Sequence, residues 1–161
     1  VIDLFCGLGN FTLPIARHVK HVVGIEGDLG LIERAKYNAD QNNITNADFY
    51  KADLFQEVDG FEWFRGKNYN KALLDPARSG ALEIVEFLPK LGIERLVYVS
   101  CNPATLARDT ARLIELGYKL QTAGVMDMFP QTAHVESIAL FTKWLQLTFQ
   151  NKRLSTKIDL I

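Results

Sequence analysis

Three segments carry side chains able to do chemistry: Asp75-Pro-Ala-Arg78, Ser100-Cys101-Asn102-Pro103 and His134-Val-Glu136. Cys101 is the expected nucleophile. A cysteine reacts as its thiolate, and a helix N-terminus lowers the thiol pKa; Pro103 marks such a start, because proline suits the first helical position. Glu136 is the expected base. A glutamate among Val135, Ile138, Ala139 and Leu140 is expensive to bury without purpose, and burial raises its pKa toward a range suited to proton abstraction. His134 shares its strand face and is the second candidate, although a hydrogen-bonded structural histidine is the commoner fate of such a residue. A thiolate beside a base suits addition and elimination on an electron-poor double bond. Cys6 reads differently, as a small apolar core residue.

A second constellation reads as a ligand turn. Gly7 and Gly9 follow the apolar run Val1–Phe5, where missing side chains let backbone amides approach a ligand. Thr12 stands where a dinucleotide fingerprint has its third glycine, which disfavours a pyrophosphate. Asp3, ahead of the glycines, suits an ammonium group, and Glu26 can accept from both hydroxyls of a ribose. Glu26 serves NAD equally well. The missing third glycine and the terminal hairpin described below point instead to S-adenosylmethionine. Asp53 is placed either to bond an adenine amino group or to cap a helix. Phe5 and Asn10 flank the turn, as cofactor contacts or as core and cap residues.

These residues need elements to hold them. Strands are expected at Val1–Phe5, His21–Glu26, Ala47–Lys51, Lys71–Asp75, Arg95–Ser100, Tyr118–Met126 and His134–Thr142. Helices are expected at Asn10–Val19 (apolar at Phe11, Leu13, Ile15 and Ala16), Leu29–Gln41 (Leu31, Ile32, Ala35 and Ala39), Ala81–Leu91 and Pro103–Leu116, the last closed by Gly117. Residues 55–70 read as irregular or weakly helical. Alternating strands and helices make a parallel sheet covered on both faces. The last two strands have only a short loop between them and must form an antiparallel hairpin. The expected class is therefore α/β, a Rossmann-like S-adenosylmethionine-dependent methyltransferase fold with a mostly parallel seven-stranded sheet. The C-terminal ends of parallel strands share one rim. The last strand runs the other way and brings its start there, so Asp75, Cys101 and Glu136 should meet.

Composition narrows the class further. The chain has 161 residues, 48% of them apolar, which is enough for one domain with a sizeable core. A net charge of −1 gives no global basic signature for nucleic acid. No run approaches the roughly 20 apolar residues of a membrane span, and no secretory leader opens the chain. Two isolated cysteines suit a reducing cytoplasm and build neither a zinc site nor an iron–sulfur cluster, so no metal is expected. A chain opening inside a central strand reads as a fragment. The expected division is a catalytic domain over 1–143 and an extension over 144–161, docked as an extra strand or disordered.

Amino-group methyltransferases carry Asn/Asp-Pro-Pro-Tyr after the fourth strand; Ala77-Arg78 here argues against N-methylation. Carbon 5 of a pyrimidine becomes nucleophilic once a thiolate adds to carbon 6, which is the chemistry Cys101 and Glu136 offer. With these residues in view, the chain resembles the RNA uracil-C5 methyltransferases in segments 3–11, 73–78, 97–109 and 126–137, in the family's order across roughly 1–143. The resemblance implies Cys101 as nucleophile and Glu136 as base. It also implies cofactor contacts from Phe5, Asn10, Glu26, Asp53 and Asp75, with Asp75 facing the uracil as well. Around Cys101 and Met126–Pro130 the wording is more similar to the 23S ribosomal RNA branch than to the transfer-RNA branch. That branch implies a 23S rRNA partner, with an RNA-binding β-barrel and an iron–sulfur cluster upstream of this segment. The alternatives are a transfer-RNA enzyme, a cytosine-C5 enzyme (whose Pro-Cys after the fourth strand is absent at Asp75-Pro76), or a cofactor-binding domain inactive without its upstream part.

Overall fold

The computed structural model describes residues 1–128, 130–132 and 135–143. In chain order the elements are β1 (Ile2–Leu4), α1 (Thr12–Ala16), β2 (Val22–Glu26), α2 (Leu29–Gln41), β3 (Ala47–Lys51), β4 (Lys71–Leu74), α3 (Leu82–Val85), β5 (Arg95–Ser100), α4 (Pro103–Glu115), β6 (Tyr118–Met126) and β7 (Glu136–Lys143). All seven strands form one sheet in the order β3-β2-β1-β4-β5-β7-β6. The pairings from β3 to β5 are parallel, and β7 runs antiparallel to β5 and β6. This is the expected α/β methyltransferase fold, with β7 inserted between β5 and β6.

The central parallel strands β1, β2, β4 and β5 are largely buried, as helices on both faces require, while β3 at the sheet edge buries only Phe49. The larger core joins Ile2, Leu4, Ile25, Leu74, Leu96 and Tyr98 to α3 and α4; a smaller one packs Cys6 and Phe49 on Ile32, Ala35 and Ala39 of α2. Cys6 is 5% exposed and burial pushes its thiol pKa up, which fits the core role expected of it. The 55–70 segment has no helix or strand, yet it supplies Val58, Trp63, Phe64 and Tyr69 to the larger core.

Two helices are shorter than the apolar periodicity predicts. The expected 81–91 helix is α-helical only over Leu82–Val85. Beyond it Phe87 and Leu88 bond three residues back, to Ile84 and Val85. Pro89 explains this: it disfavours helical geometry at Leu88 and offers no N–H. The expected 10–19 helix is α-helical over Thr12–Ala16, capped at Phe11 rather than at Asn10, and that cap has no side-chain bond. Its buried residues are Thr12 and Ala16, whereas Phe11 is 42% exposed. In α2, Leu31 lies outside while Ile32, Ala35 and Ala39 are buried. The expected helix starting at Pro103 forms as α4, with Asn102 as cap and Gly117 beyond its end at φ 88°. His134 and the 144–161 extension lie outside the described residues.

Candidate active site

The register of the sheet assembles the site. Leu4 pairs with Ile25 on one side and Leu74 on the other, and Leu74 pairs with Tyr98. Phe5, Glu26, Asp75 and Cys101 therefore leave the sheet along one rim. Ser100 pairs with Ser137 in the antiparallel ladder. Cys101 follows Ser100 and Glu136 precedes Ser137, so both stand just beyond the same end of the β5–β7 pair.

The glycine turn closes over the end of β1. Gly7 and Gly9 adopt φ 54° and 90°, and Gly9 N–H bonds the Cys6 carbonyl at 2.9 Å. Phe5 also has a positive φ of 68°, uncommon for a residue with a side chain. Its half-buried ring tilts against Phe55 with centroids 5.7 Å apart. Asn10 is exposed beside the turn.

Glu26 is fixed by backbone donors. Its Oε2 accepts from Gly7 N–H at 3.0 Å, and its Oε1 from Gly27 at 2.7 Å and Asp28 at 3.0 Å. A carboxylate has about four acceptor sites, so Oε2 keeps capacity for a further donor. Asp53 is neither a helix cap nor buried: it is exposed and accepts from Phe55 N–H at 3.0 Å in a local turn. The helix-cap alternative fails because no helix follows it.

Asp3 sits deeper than an open ligand contact. It is fully buried, Oδ2 accepts from Thr12 Oγ1 at 2.5 Å, and Oδ1 has no hydrogen-bond partner. Burial raises its pKa to about 7; the Thr12 bond opposes that, and the charges of Asp75 and Glu26 add to it. Asp75 is half-buried, and its pKa is raised by burial and then by Glu136. Acidic groups thus face one another across the rim with an unpaired buried oxygen beneath them, an arrangement that fits a cationic ligand. Glu136 is half-buried, not buried as the apolar run predicts. Strand alternation turns Ser137, Ala139 and Phe141 inward and leaves Glu136 on the face of Ile138, which is 38% exposed.

Cys101 is half-buried at the threshold of α4. Ser100 Oγ donates to the Asn102 carbonyl at 3.0 Å and accepts from Asn102 N–H at 3.1 Å, pinning the chain on either side of the thiol. The Asn102 side chain caps Ala104 N–H at 3.1 Å, and its Nδ2 donates to the Arg78 carbonyl at 3.1 Å. Sequence reasoning overlooked Asn102, although Asn before Pro103 is a helix-start signal. It also overlooked Thr12 as a donor, and Asp109, a polar residue on the Leu106/Leu113 stripe of α4. A hollow of about 460 Å³ lined by Val1, Ile15, Val19, Leu73 and Val97 lies toward the opposite end of the strands.

The fold and the acidic site at its rim define a class, the S-adenosylmethionine-dependent methyltransferases. The chain belongs to the tRNA (uracil-5-)-methyltransferase family, whose model matches residues 1–144. It is 78% identical over 143 residues to the 23S rRNA (uracil(1939)-C(5))-methyltransferase RlmD of Vesicomyosocius okutanii subsp. Calyptogena okutanii, covering 89% of this chain and 33% of that protein. RlmD of Francisella tularensis is 58% identical over 144 residues, with 89% of this chain and 32% of that protein covered. The chain thus spans about a third of the length of the curated relatives it matches. Among solved structures it is similar to the Pyrococcus abyssi tRNA (uracil-54, C5)-methyltransferase in complex with S-adenosyl-L-homocysteine. That match has a TM-score of 0.75 and 32% identity, over 88% of this chain and 33% of the other. Iron–sulfur clusters are commonly held by four thiolates; with Cys6 in the core and Cys101 at the rim, these residues do not fit one. No helix among the described residues is long and apolar enough to cross a membrane.

Proposed function

We propose that this chain is the methyl-transferring segment of a cytoplasmic 23S rRNA uracil-C5 methyltransferase, with Cys101 as nucleophile and Glu136 as base. The observation that supports the reading is the β5–β7 register, which brings Cys101 and Glu136 to one end of that pair, with Asp75 after the adjoining strand. The high-identity relatives are named for that reaction, and the chain is neutral enough to leave most of the RNA grip to other segments. Bound at the glycine turn, S-adenosylmethionine supplies an electrophilic methyl on a sulfonium. Gly7, Gly9, Asn10 and Phe5 would line its near side. Asp3 would take its ammonium, Glu26 its ribose and Asp53 its adenine amino group. Asp75 would face both cofactor and uracil.

Giving up that methyl would leave S-adenosylhomocysteine, and the remaining steps belong to the protein's own residues. The Cys101 thiolate forms a bond to carbon 6 of the uracil, and the electron pair of the C5–C6 double bond becomes available at carbon 5 for the methyl. Once carbon 5 carries the methyl, Glu136 accepts its remaining proton. The C–H electron pair re-forms the double bond as the sulfur leaves as thiolate.

Uridine-rich RNA containing 5-fluorouridine tests this, because fluorine occupies the position the base must deprotonate. A denaturant-stable RNA adduct mapped to Cys101, formed only with S-adenosylmethionine and absent from Cys101→Ala, is the expected result. Methyl transfer to uridine by Cys101→Ala would overturn the mechanism. A second reading rests on the span of the chain, a third of its relatives: a module that binds cofactor and needs the remaining segments to methylate. Tight cofactor binding with no adduct would favour it.

A further inference from the structure

Asp109 is the fully buried acid of α4, and the proposed chemistry does not use it. A buried carboxylate is costly unless it is paired and hydrogen-bonded, and this one is saturated. Its Oδ2 accepts from Ala81 N–H at 2.7 Å and from Tyr98 Oη at 2.6 Å. Its Oδ1 takes Arg108 Nε at 2.8 Å and Nη2 at 2.7 Å. Arg108 Nη2 reaches on to the Ser79 carbonyl at 2.9 Å. One acid therefore joins the buried Tyr98 of β5, the helix that starts after Cys101, and the loop that follows Asp75.

The loop is fitted to this acid. Gly80 has φ 81°, and a Cβ there would lie 2.6 Å from both Asp109 Oδ2 and Arg108 Nη2. Asn102 Nδ2 on the Arg78 carbonyl makes a second tie between the same two segments. For stability alone, a well-packed apolar group often does as well as a buried ion pair. What the acid adds is direction, since each of its bonds fixes a backbone or side-chain donor at one place.

We infer that Asp109 is a positioning residue that sets the Asp75 loop against the Cys101 threshold, an inference resting on the uracil-C5 reading for the reaction it serves. Tyr98 and Arg108 orient the carboxylate, and Ala81 transmits its position to the loop. None of these bonds reaches the glycine turn or Glu26, and Asp75 is the one proposed cofactor contact beside the positioned loop, so cofactor binding should weaken far less than turnover.

Asp109→Asn and Tyr98→Phe in the whole chain test it, the second keeping the packing of β5 should the first not fold. For Tyr98→Phe, hydrogen exchange at the Ala81 amide should speed up about tenfold while β1 amides stay protected. Alkylation of Cys101 by iodoacetamide should change at least about threefold, and single-turnover methyl transfer should fall at least about tenfold, as expected of a small misplacement. The cofactor Kd should stay within about twofold of the unmodified chain. Unchanged Cys101 alkylation beside a freed Ala81 amide would overturn the inference, and so would loss of cofactor affinity in step with turnover. If the unmodified chain transfers no methyl, the uracil reading fails by itself; Ala81 exchange and Cys101 alkylation still decide the strap.

Discussion

Thr12 Oγ1 donates a 2.5 Å hydrogen bond to Asp3 Oδ2, tying the first turn of α1 to β1 beneath the glycine turn. Both side chains are fully buried, and Asp3 Oδ1 has no other partner to share the load. Valine in place of Thr12 keeps the outline and removes the donor. Leaving a buried acceptor unsatisfied costs on the order of 1–3 kcal/mol. Thr12→Val should therefore lower the urea midpoint by that equivalent with an unchanged m-value, while Thr12→Ser should stay near the parent. Equal stability of the Val and Ser variants would show that the hydroxyl does no work.

The same acid makes stability depend on pH. Asp3 moves from its ordinary 3.8 to about 7 in the folded chain, with burial as the main cause. A raised folded pKa means that the folded state holds the proton longer than the unfolded one. Its contribution is full below 3.8 and is lost as pH rises toward about 7. Asp75, also raised, acts with the same sign. Glu86, lowered by its Arg112 bond, acts oppositely and only at acid pH. Unfolding free energy relative to Asp3→Asn should therefore decline between those two values, measured by urea titrations at several pH values. A difference that is flat or rises with pH would sink the assignment.

Much of the architecture was legible because strand burial and helix periodicity are local signals. Ser100-Cys101-Asn102-Pro103 announced a strand end, a thiol and a helix start in four residues. The bonds that lock the site were less so. Thr12 was read as a missing glycine, whereas its hydroxyl holds the Asp3 side chain across nine residues of chain. Asp109 bonds Ala81 across 28 residues, a pairing set by tertiary packing and not by pattern. Glu136 looked buried because its neighbours are apolar, but alternation sends Ser137 inward in its place.

Gly24 is a packing requirement in the middle of β2. A Cβ there would lie 2.9 Å from Cys6 Sγ and 2.9 Å from the Phe49 ring, both in the core under α2. Overpacking of this kind costs about 1–3 kcal/mol. Gly24→Ala should lose stability by that amount in chemical denaturation. Pairing it with Cys6→Ala should recover part of the loss, since the smaller side chain removes one of the two close contacts. Strict additivity of the two changes would place the strain elsewhere.

Glu136 can be tested without RNA and then with it. Its charge is the second cause, after burial, that raises the Asp75 pKa. Glu136→Gln removes that charge and should move the Asp75 titration down, read from its side-chain carboxyl carbon by NMR. An unmoved titration would mean that the two acids do not share the rim as the register places them. With uridine RNA and S-adenosylmethionine, the same variant should form the Cys101 bond yet fail to accept the carbon 5 proton, because an amide is no base at neutral pH. The covalent complex should then build up and methylated product should fall at least about a hundredfold, within the range that general-base catalysis contributes. Product release at the parent rate would remove Glu136 from the reaction, whatever its effect on Asp75.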